Sequence, residues 1–200
     1  MRSSVNSLSR KRPLSKSFYL REAPAVARDL LGKGLLVKTK SGPIVVEISE
    51  VEAYLGKQDP ASHSHNGLTK RNWPMFEAGG MCYVYFSYGM HFCMNVVTGG
   101  KGAADAVLLR GAVSLIGLEM IEKNRGRVGP LNGPGKLTKA LGIDLRFNGR
   151  QFDEDGFKII DLGLGEVDVE VTTRIGISKA IDLPLRFLTR KPFVFGLDLK

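Results

Sequence analysis

Cysteine is almost missing from this chain: Cys82 and Cys93 are the only two in 200 residues. With no Cys-x-x-Cys and no histidine at metal-ligand spacing, the sequence offers neither a disulfide framework nor a zinc pattern. Both thiols read as reduced core residues of a cytoplasmic protein, nucleoid-associated in a bacterium and nuclear in a eukaryote. Long apolar runs are missing as well. None approaches the ~20 residues that span a bilayer, so no membrane is expected as a partner. Gly-x-x-x-x-Gly-Lys-Ser/Thr does not occur, which removes a P-loop, and no cofactor or metal is expected. Internal repeats and linker-like stretches are absent too. The reading is one domain over residues 17–200, behind a basic, serine-rich, acid-free segment, residues 1–16, expected to be a disordered tail.

Acidic residues are the other deficit. Twenty Asp and Glu face 29 Lys and Arg, for a net charge of +9 and a pI near 9.7. The excess is uneven: residues 1–50 carry ten bases against four acids and 101–150 nine against four, while 51–100 balance at three each. Two basic regions around a neutral centre suit a polyanion held by its backbone while something uncharged or locally cationic is read between them. An apolar content of 43% is ample for a core.

What the centre has is aromatic. All three histidines, the single tryptophan and four of the five tyrosines fall between Glu50 and Asn95, and such a gathering of flat and titratable side chains marks a site. In chain order, residues 23–31 read as a short helix with Pro24 near its start and Gly32 past its end. Residues 35–40 and 45–54 read as strands, the second placing Glu50 and Glu52 on one face. Residues 58–80 are polar and aperiodic, a long ordered loop. Residues 82–87 and 91–97 form a hairpin with Tyr88 at its tip and Tyr83, Tyr85 and Ser87 on one face. The face joined by Asn95 depends on the turn type, which the sequence leaves open. Residues 105–112 are a buried strand carrying one charge, Arg110, and 113–123 a helix. Gly133-Pro134-Gly135-Lys136 opens another helix, whose N–H groups can hold a phosphate. Short strands are expected over residues 157–160, 167–173 and 185–188.

Each candidate has an ordinary explanation beside the functional one. Glu52, at a strand end beside Tyr54, is placed as a general base, although a strand glutamate usually serves only solvation. Arg110 in an apolar strand needs an anionic partner; a salt bridge to Glu50 or Glu52 supplies one and is compatible with catalysis. Tyr54, Tyr83, Tyr85 and His63 can pack as core or form a cage for a base or a cation. Tyr88 is harder to read as core, because a hairpin tip faces solvent. Beside a basic surface it suits a wedge between base pairs. Thr69 and Arg71 in the loop are candidate phosphate contacts.

At this point the residues carry a resemblance. Glu50-x-Glu52-Ala53-Tyr54, His63, Tyr83-Val84-Tyr85-x-x-Tyr88-Gly89-Met90-x-Phe92-Cys93-Met94-Asn95, Leu108-Leu109-Arg110, Gly133-Pro134-x-Lys136-Leu137 and Pro184-Leu185-Arg186-Phe187 resemble, in order and spacing, the alkyladenine (3-methyladenine) DNA glycosylase family. The resemblance implies a single mixed α/β (α+β) domain around a curved, mainly antiparallel sheet, without a helix-hairpin-helix. It implies a monomer acting on double-stranded DNA that contains alkylated or otherwise damaged purines. By the same resemblance Glu52 activates a water that displaces the base at C1′, and Arg110 and the backbone carbonyl of Ile175 help hold that water. Tyr54, Tyr85 and His63 enclose the flipped base, and Asn95 crowds out the guanine amino group. Tyr88 fills the hole left in the duplex with Met90 beside it, and His91, Thr69, Arg71 and Lys136 contact DNA. His91 stands where some relatives carry tyrosine. No lysine stands out as a Schiff-base nucleophile, so the expected enzyme is monofunctional.

Two rival readings remain at the level of sequence. One is a non-catalytic nucleic-acid-binding module that uses the aromatic hairpin as a stacking platform; it has no use for Glu52 with Arg110. The other makes Glu50 and Glu52 the acid/base pair of a glycosidase, with carboxyls ~5–9 Å apart across a sugar.

Overall fold

A computed structural model describes residues 7–190. Residues 1–6 of the expected tail and 191–200 of the expected domain lie outside the described residues. The described residues include ten strands: β1 (Gly34–Thr39), β2 (Gly42–Tyr54), β3 (Cys82–Ser87), β4 (His91–Thr98), β5 (Asp105–Ile116), β6 (Leu131–Asn132), β7 (Asp153–Glu154), β8 (Phe157–Ile160), β9 (Val169–Thr172) and β10 (Arg186–Thr189). They form one strongly curled antiparallel sheet, ordered β3-β4-β5-β2-β1-β8-β7, with β10 on β2 and β9, and β6 on β5. The fold is the mixed α/β domain with a curved antiparallel sheet that the sequence implied.

Strand β2 is the spine. One edge takes β1 over residues 42–47 and β10 over 50–52, and the other takes β5 along nearly its whole length. Its run Ile44-Val45-Val46-Glu47-Ile48 is buried throughout, as expected of a strand covered on both faces. Helix α1 (Ala23–Leu30) lays Ala23, Val26, Ala27 and Leu30 on the sheet, a stripe at i, i+3, i+4 and i+7. Helices α2 (Leu118–Arg125) and α3 (Pro134–Leu141) pack on each other, with α3 also on β4 and β5. The short strand β6 lies between them in sequence.

Two expectations need correction. The helix expected over 113–123 begins only at Leu118, because residues 113–116 stay in β5. Strand β2 offers them partners: Glu47 pairs with Val113, Val46 with Ser114 and Val45 with Ile116. The helical spacing of Leu115, Leu118 and Ile121 is a local signal that this long-range ladder overrides, and Gly117, at φ +85°, makes the turn into the helix. The tail expected to be disordered over 1–16 is ordered from residue 7. Strand β7 covers β8 only at Phe157 and Lys158, and the edge beyond it takes up the N-terminal chain. Pro13 bridges Ile160, Leu14 N–H donates to Ile159 O at 2.8 Å, and Lys158 Nζ donates to the Ser9 and Lys11 carbonyls at 3.0 and 2.8 Å. An open sheet edge recruits chain in this way because its N–H and C=O groups lack partners.

The long loop is ordered, as expected, and one buried side chain fastens it. Asn72 Nδ2 donates to the carbonyls of His63 and Gly67 at 2.8 and 3.0 Å, and its Oδ1 accepts from Thr69 N–H and Oγ1. Ser64 Oγ ties the same loop to Ala104 O at 2.8 Å. Beneath it, Met75, Tyr83, Val97 and Ala106 make a small apolar cluster of their own.

Candidate active site

The site begins with a register slip. Between β2 and β5 the register shifts by one at Glu50, which pairs with Gly111, and shifts back at Val51, which pairs with Leu109, so Ser49 and Arg110 are each passed over while the flanking pairs stay in step. Glu52 pairs with Leu108, and Arg110, two residues along from Leu108, falls on the same face as the two glutamates. Its Nε donates to Glu50 Oε1 at 3.1 Å and its Nη1 to Glu52 Oε2 at 3.3 Å. Glu50 also accepts from Arg186 Nε at 2.8 Å. Held by two guanidiniums, Glu50 is committed as a counter-ion, which leaves a paired acid/base role for the two carboxyls without support.

Glu52 is deeper than the strand-end reading suggested. Its exposure is 0%. Oε1 takes the Ile175 N–H at 2.8 Å and Oε2 takes the Tyr54 hydroxyl at 3.0 Å together with Arg110. A carboxylate has about four acceptor positions, so one remains beyond these three donors. Burial first, then the charge of Glu52, pushes the Tyr54 phenol far above its ordinary range, and Tyr54 is therefore a fixed donor at neutral pH.

Beside this carboxylate lies an open cleft of about 610 Å³, lined by its partners Tyr54, Arg110 and Ile175 and not by Glu52 itself. Tyr54, His63, Arg71, Tyr85, Tyr88, Asn95, Arg110 and Ile175 all line it. The hairpin turn decides the placement of Asn95. Ser87 pairs with His91 across a three-residue loop, in which Tyr88 and Gly89 have φ of +50° and +67° and Met90 N–H donates to Ser87 O at 3.1 Å. In that register Tyr83 pairs with Asn95 and Tyr85 with Cys93, so Asn95 stands on the aromatic face, where its Nδ2 donates to Tyr83 O at 3.0 Å. His63 Nδ1 lies 3.0 Å from the Tyr83 hydroxyl, and its ring meets Tyr85 edge-on with centroids 4.5 Å apart. Burial, then the charge of Arg71, lowers the His63 pKa, so the imidazole is neutral at pH 7. Burial raises Tyr85 strongly and Tyr83 to about 12, and the cage is uncharged apart from its arginines.

Of the other expected contacts, Tyr88 reaches the rim of this lining, and Met90, His91, Lys136 and Thr69 lie outside it. Tyr88 and Met90 are 86% and 71% exposed at the hairpin tip. His91 packs on the first turn of α3: a Cβ at Gly135 would sit 2.8 Å from its ring. Lys136 is exposed, with Nζ on Asn132 Oδ1 at 2.8 Å. Thr69 is spent on the Asn72 clamp. Because Tyr88 is a bulky residue in a left-handed conformation, which is unfavourable by ~1 kcal/mol or more, and buries almost nothing, Tyr88→Asn is expected to leave the melting temperature unchanged or slightly higher. A fall of several degrees in a thermal melt would show that the ring has a packing role.

Reading the sequence missed one functional element. Arg174 and Asp59 form a fully buried ion pair, with Arg174 Nη2 on Asp59 Oδ1 at 3.0 Å and Nη1 also on Ala53 O at 3.1 Å. The guanidinium lies 4.6 Å over the Tyr54 ring and holds the chain just before Ile175. Nothing local signals a pair separated by 115 residues. Among the described residues no group of three or more His, Cys, Asp or Glu could hold a metal ion, and no helix is long and apolar enough to cross a membrane.

A protein-family model described as methylpurine-DNA glycosylase matches residues 17–192. A protein of Methanoculleus marisnigri, provisionally named a 3-methyladenine DNA glycosylase, is 46% identical over 181 residues, 87% of this chain and 93% of its own length. One of Carboxydothermus hydrogenoformans, with the same provisional name, is 45% identical over 87% of this chain and 93% of its own. A third, of Koribacter versatilis, is 40% identical over 96% and 97%.

Proposed function

Because the chain belongs to the methylpurine-DNA glycosylase family, we propose that it takes alkylated purines such as 3-methyladenine out of duplex DNA and hydrolyses their N-glycosidic bond. The observation that carries this reading is Glu52, an enclosed carboxylate with three donors and one acceptor position left, beside an aromatic cleft whose rim bears an exposed tyrosine. Tyr88 enters the duplex and fills the space of the departing nucleotide, offsetting part of the few kcal/mol of unstacking. The base enters between Tyr54 and Tyr85, against His63, while the fixed amide of Asn95 excludes an exocyclic amino group at that wall.

A water on the free acceptor position of Glu52 gives up a proton to the carboxylate as its oxygen bonds to C1′. The bonding pair of the glycosidic bond leaves with the base. Arg110 keeps Glu52 oriented, and the Ile175 backbone bounds the water site. A cationic purine departs neutral and needs no acid. Lys179 lines the cleft but is exposed, and with no buried lysine among the lining residues the expected product is an intact strand with an abasic site. The protein works as a monomer in the compartment that holds the genome.

The test is release of free base from methylated duplex DNA, with undamaged duplex as control. Release from the first and not the second, without strand cleavage, is expected. Release no faster than the control sinks the reading, and borohydride trapping of a protein–DNA adduct would sink the monofunctional part.

A further inference from the structure

We propose that Arg71 is a specificity-determining residue, whose guanidinium on the wall of the base cleft lowers the preference for positively charged over neutral purines. The inference rests on the base-excision reading above. Arg71 lies 5.2 Å over the Tyr85 ring centroid, and its Nη2 donates to Phe86 O at 3.1 Å. That backbone bond holds its head against the cage, although the side chain itself is on the exposed lip. Among the described residues no carboxylate pairs with it. Arg110, by contrast, has two carboxylates and Arg174 has Asp59. Arg71 is thus the one arginine lining the aromatic cage without a carboxylate among the described residues.

An aromatic face attracts a cation through its ring quadrupole. Here both tyrosine walls already present a face to a protein cation, Tyr54 to Arg174 at 4.6 Å and Tyr85 to Arg71 at 5.2 Å. A second cation on the same ring gains less and meets repulsion. Because Asp59 offsets Arg174, the repulsion falls to Arg71. A base stacking on the face that Arg71 holds must displace it. A base stacking on the other face leaves the two charges within roughly 10 Å of each other, where a partly enclosed pair is only partly screened. Either way a cationic base loses and a neutral purine does not. The depressed His63 pKa, set by burial and then by Arg71, shows the same field acting on an imidazole.

The test compares wild type, Arg71→Gln and Arg71→Lys on duplexes carrying cationic 3-methyladenine or neutral hypoxanthine. The ratio of the two second-order rate constants for base release is the readout, so differences in leaving-group ability cancel between variants. The ratio is expected to rise at least threefold in Arg71→Gln, more at low salt, and to stay near wild type in Arg71→Lys. An unchanged or lower ratio in Arg71→Gln overturns the inference, as does an equal loss on both lesions, which assigns Arg71 to phosphate alone. An equal rise in Arg71→Lys overturns it too. Where either base stays uncut, the ratio is read from competition between the duplexes for the protein. A wild type that releases neither base therefore sinks the excision reading, while competition still decides the role of Arg71.

Discussion

Glu52→Gln is expected to slow single-turnover base release by roughly 10²–10⁴-fold while leaving binding of lesion-containing duplex within a few-fold of wild type. The amide keeps the shape of the side chain and can still accept the Ile175 N–H, so the cleft beside it stays in place. It cannot take the proton of the attacking water. It also leaves Arg110, which now divides its charge between two carboxylates at 3.1 and 3.3 Å, with Glu50 alone. Glu50→Gln separates these effects: it keeps the base, loosens Arg110 and Arg186, and is expected to slow release by less than about tenfold. Rates on methylated duplex, with affinity measured in parallel, decide the matter. If the two variants are equally impaired, the carboxylates act only as a structural cluster and the assignment of Glu52 fails.

Asp59→Asn is expected to give the largest loss of stability, about 3–5 kcal/mol, which for a chain of this length lowers the melting temperature on the order of 10 °C. Both partners of the Asp59–Arg174 pair have 0% side-chain exposure, so removing one charge strands the other where no water can reach it. Arg174→Met is expected to cost a similar amount, and the double variant less than the sum, since neither charge is then orphaned. Burial alone raises the Asp59 carboxyl, but the hydrogen bonds and charge of Arg174, with the Ala61 and Leu55 N–H groups, outweigh it and hold it below the ordinary range. A folded pKa below the unfolded one means that the pair stabilises fully above about pH 4 and is lost as pH falls through the folded value. The gap in melting temperature between wild type and Asp59→Asn should therefore be widest near neutrality and close in acid. A gap that is independent of pH would assign the loss to packing. Base release should fall too, because Arg174 backs Tyr54 and leads into the Ile175 N–H that reaches Glu52.

How far the chain can be read in advance depends on the range of the interactions. The hairpin of β3 and β4 was legible because its alternation is local and Gly89 marks its turn. The face of Asn95 was not, because it depends on the turn type, and Tyr88 takes the positive φ that a tyrosine does not announce. Arg110 announced itself as a charge in an apolar strand. That it would serve Glu50 and Glu52 at once follows from the register of β2 on β5, which sets all three on one face. Residues 113–116 carry helical spacing and are strand, since their partners lie some 70 positions earlier.

The sequence by itself determined the composition of the site and the kind of partner it suits: a neutral aromatic centre, glutamates on one strand face, a tyrosine at a hairpin tip and an excess of positive charge. Those are properties of residue type and short spacing. Only the tertiary structure decided that Glu52 is enclosed, that Asp59 and Arg174 brace the wall behind Tyr54, and that Arg71 lies on Tyr85. Each of these is a contact between segments far apart in the chain, and local propensity carries no information about which segments the curled sheet brings together.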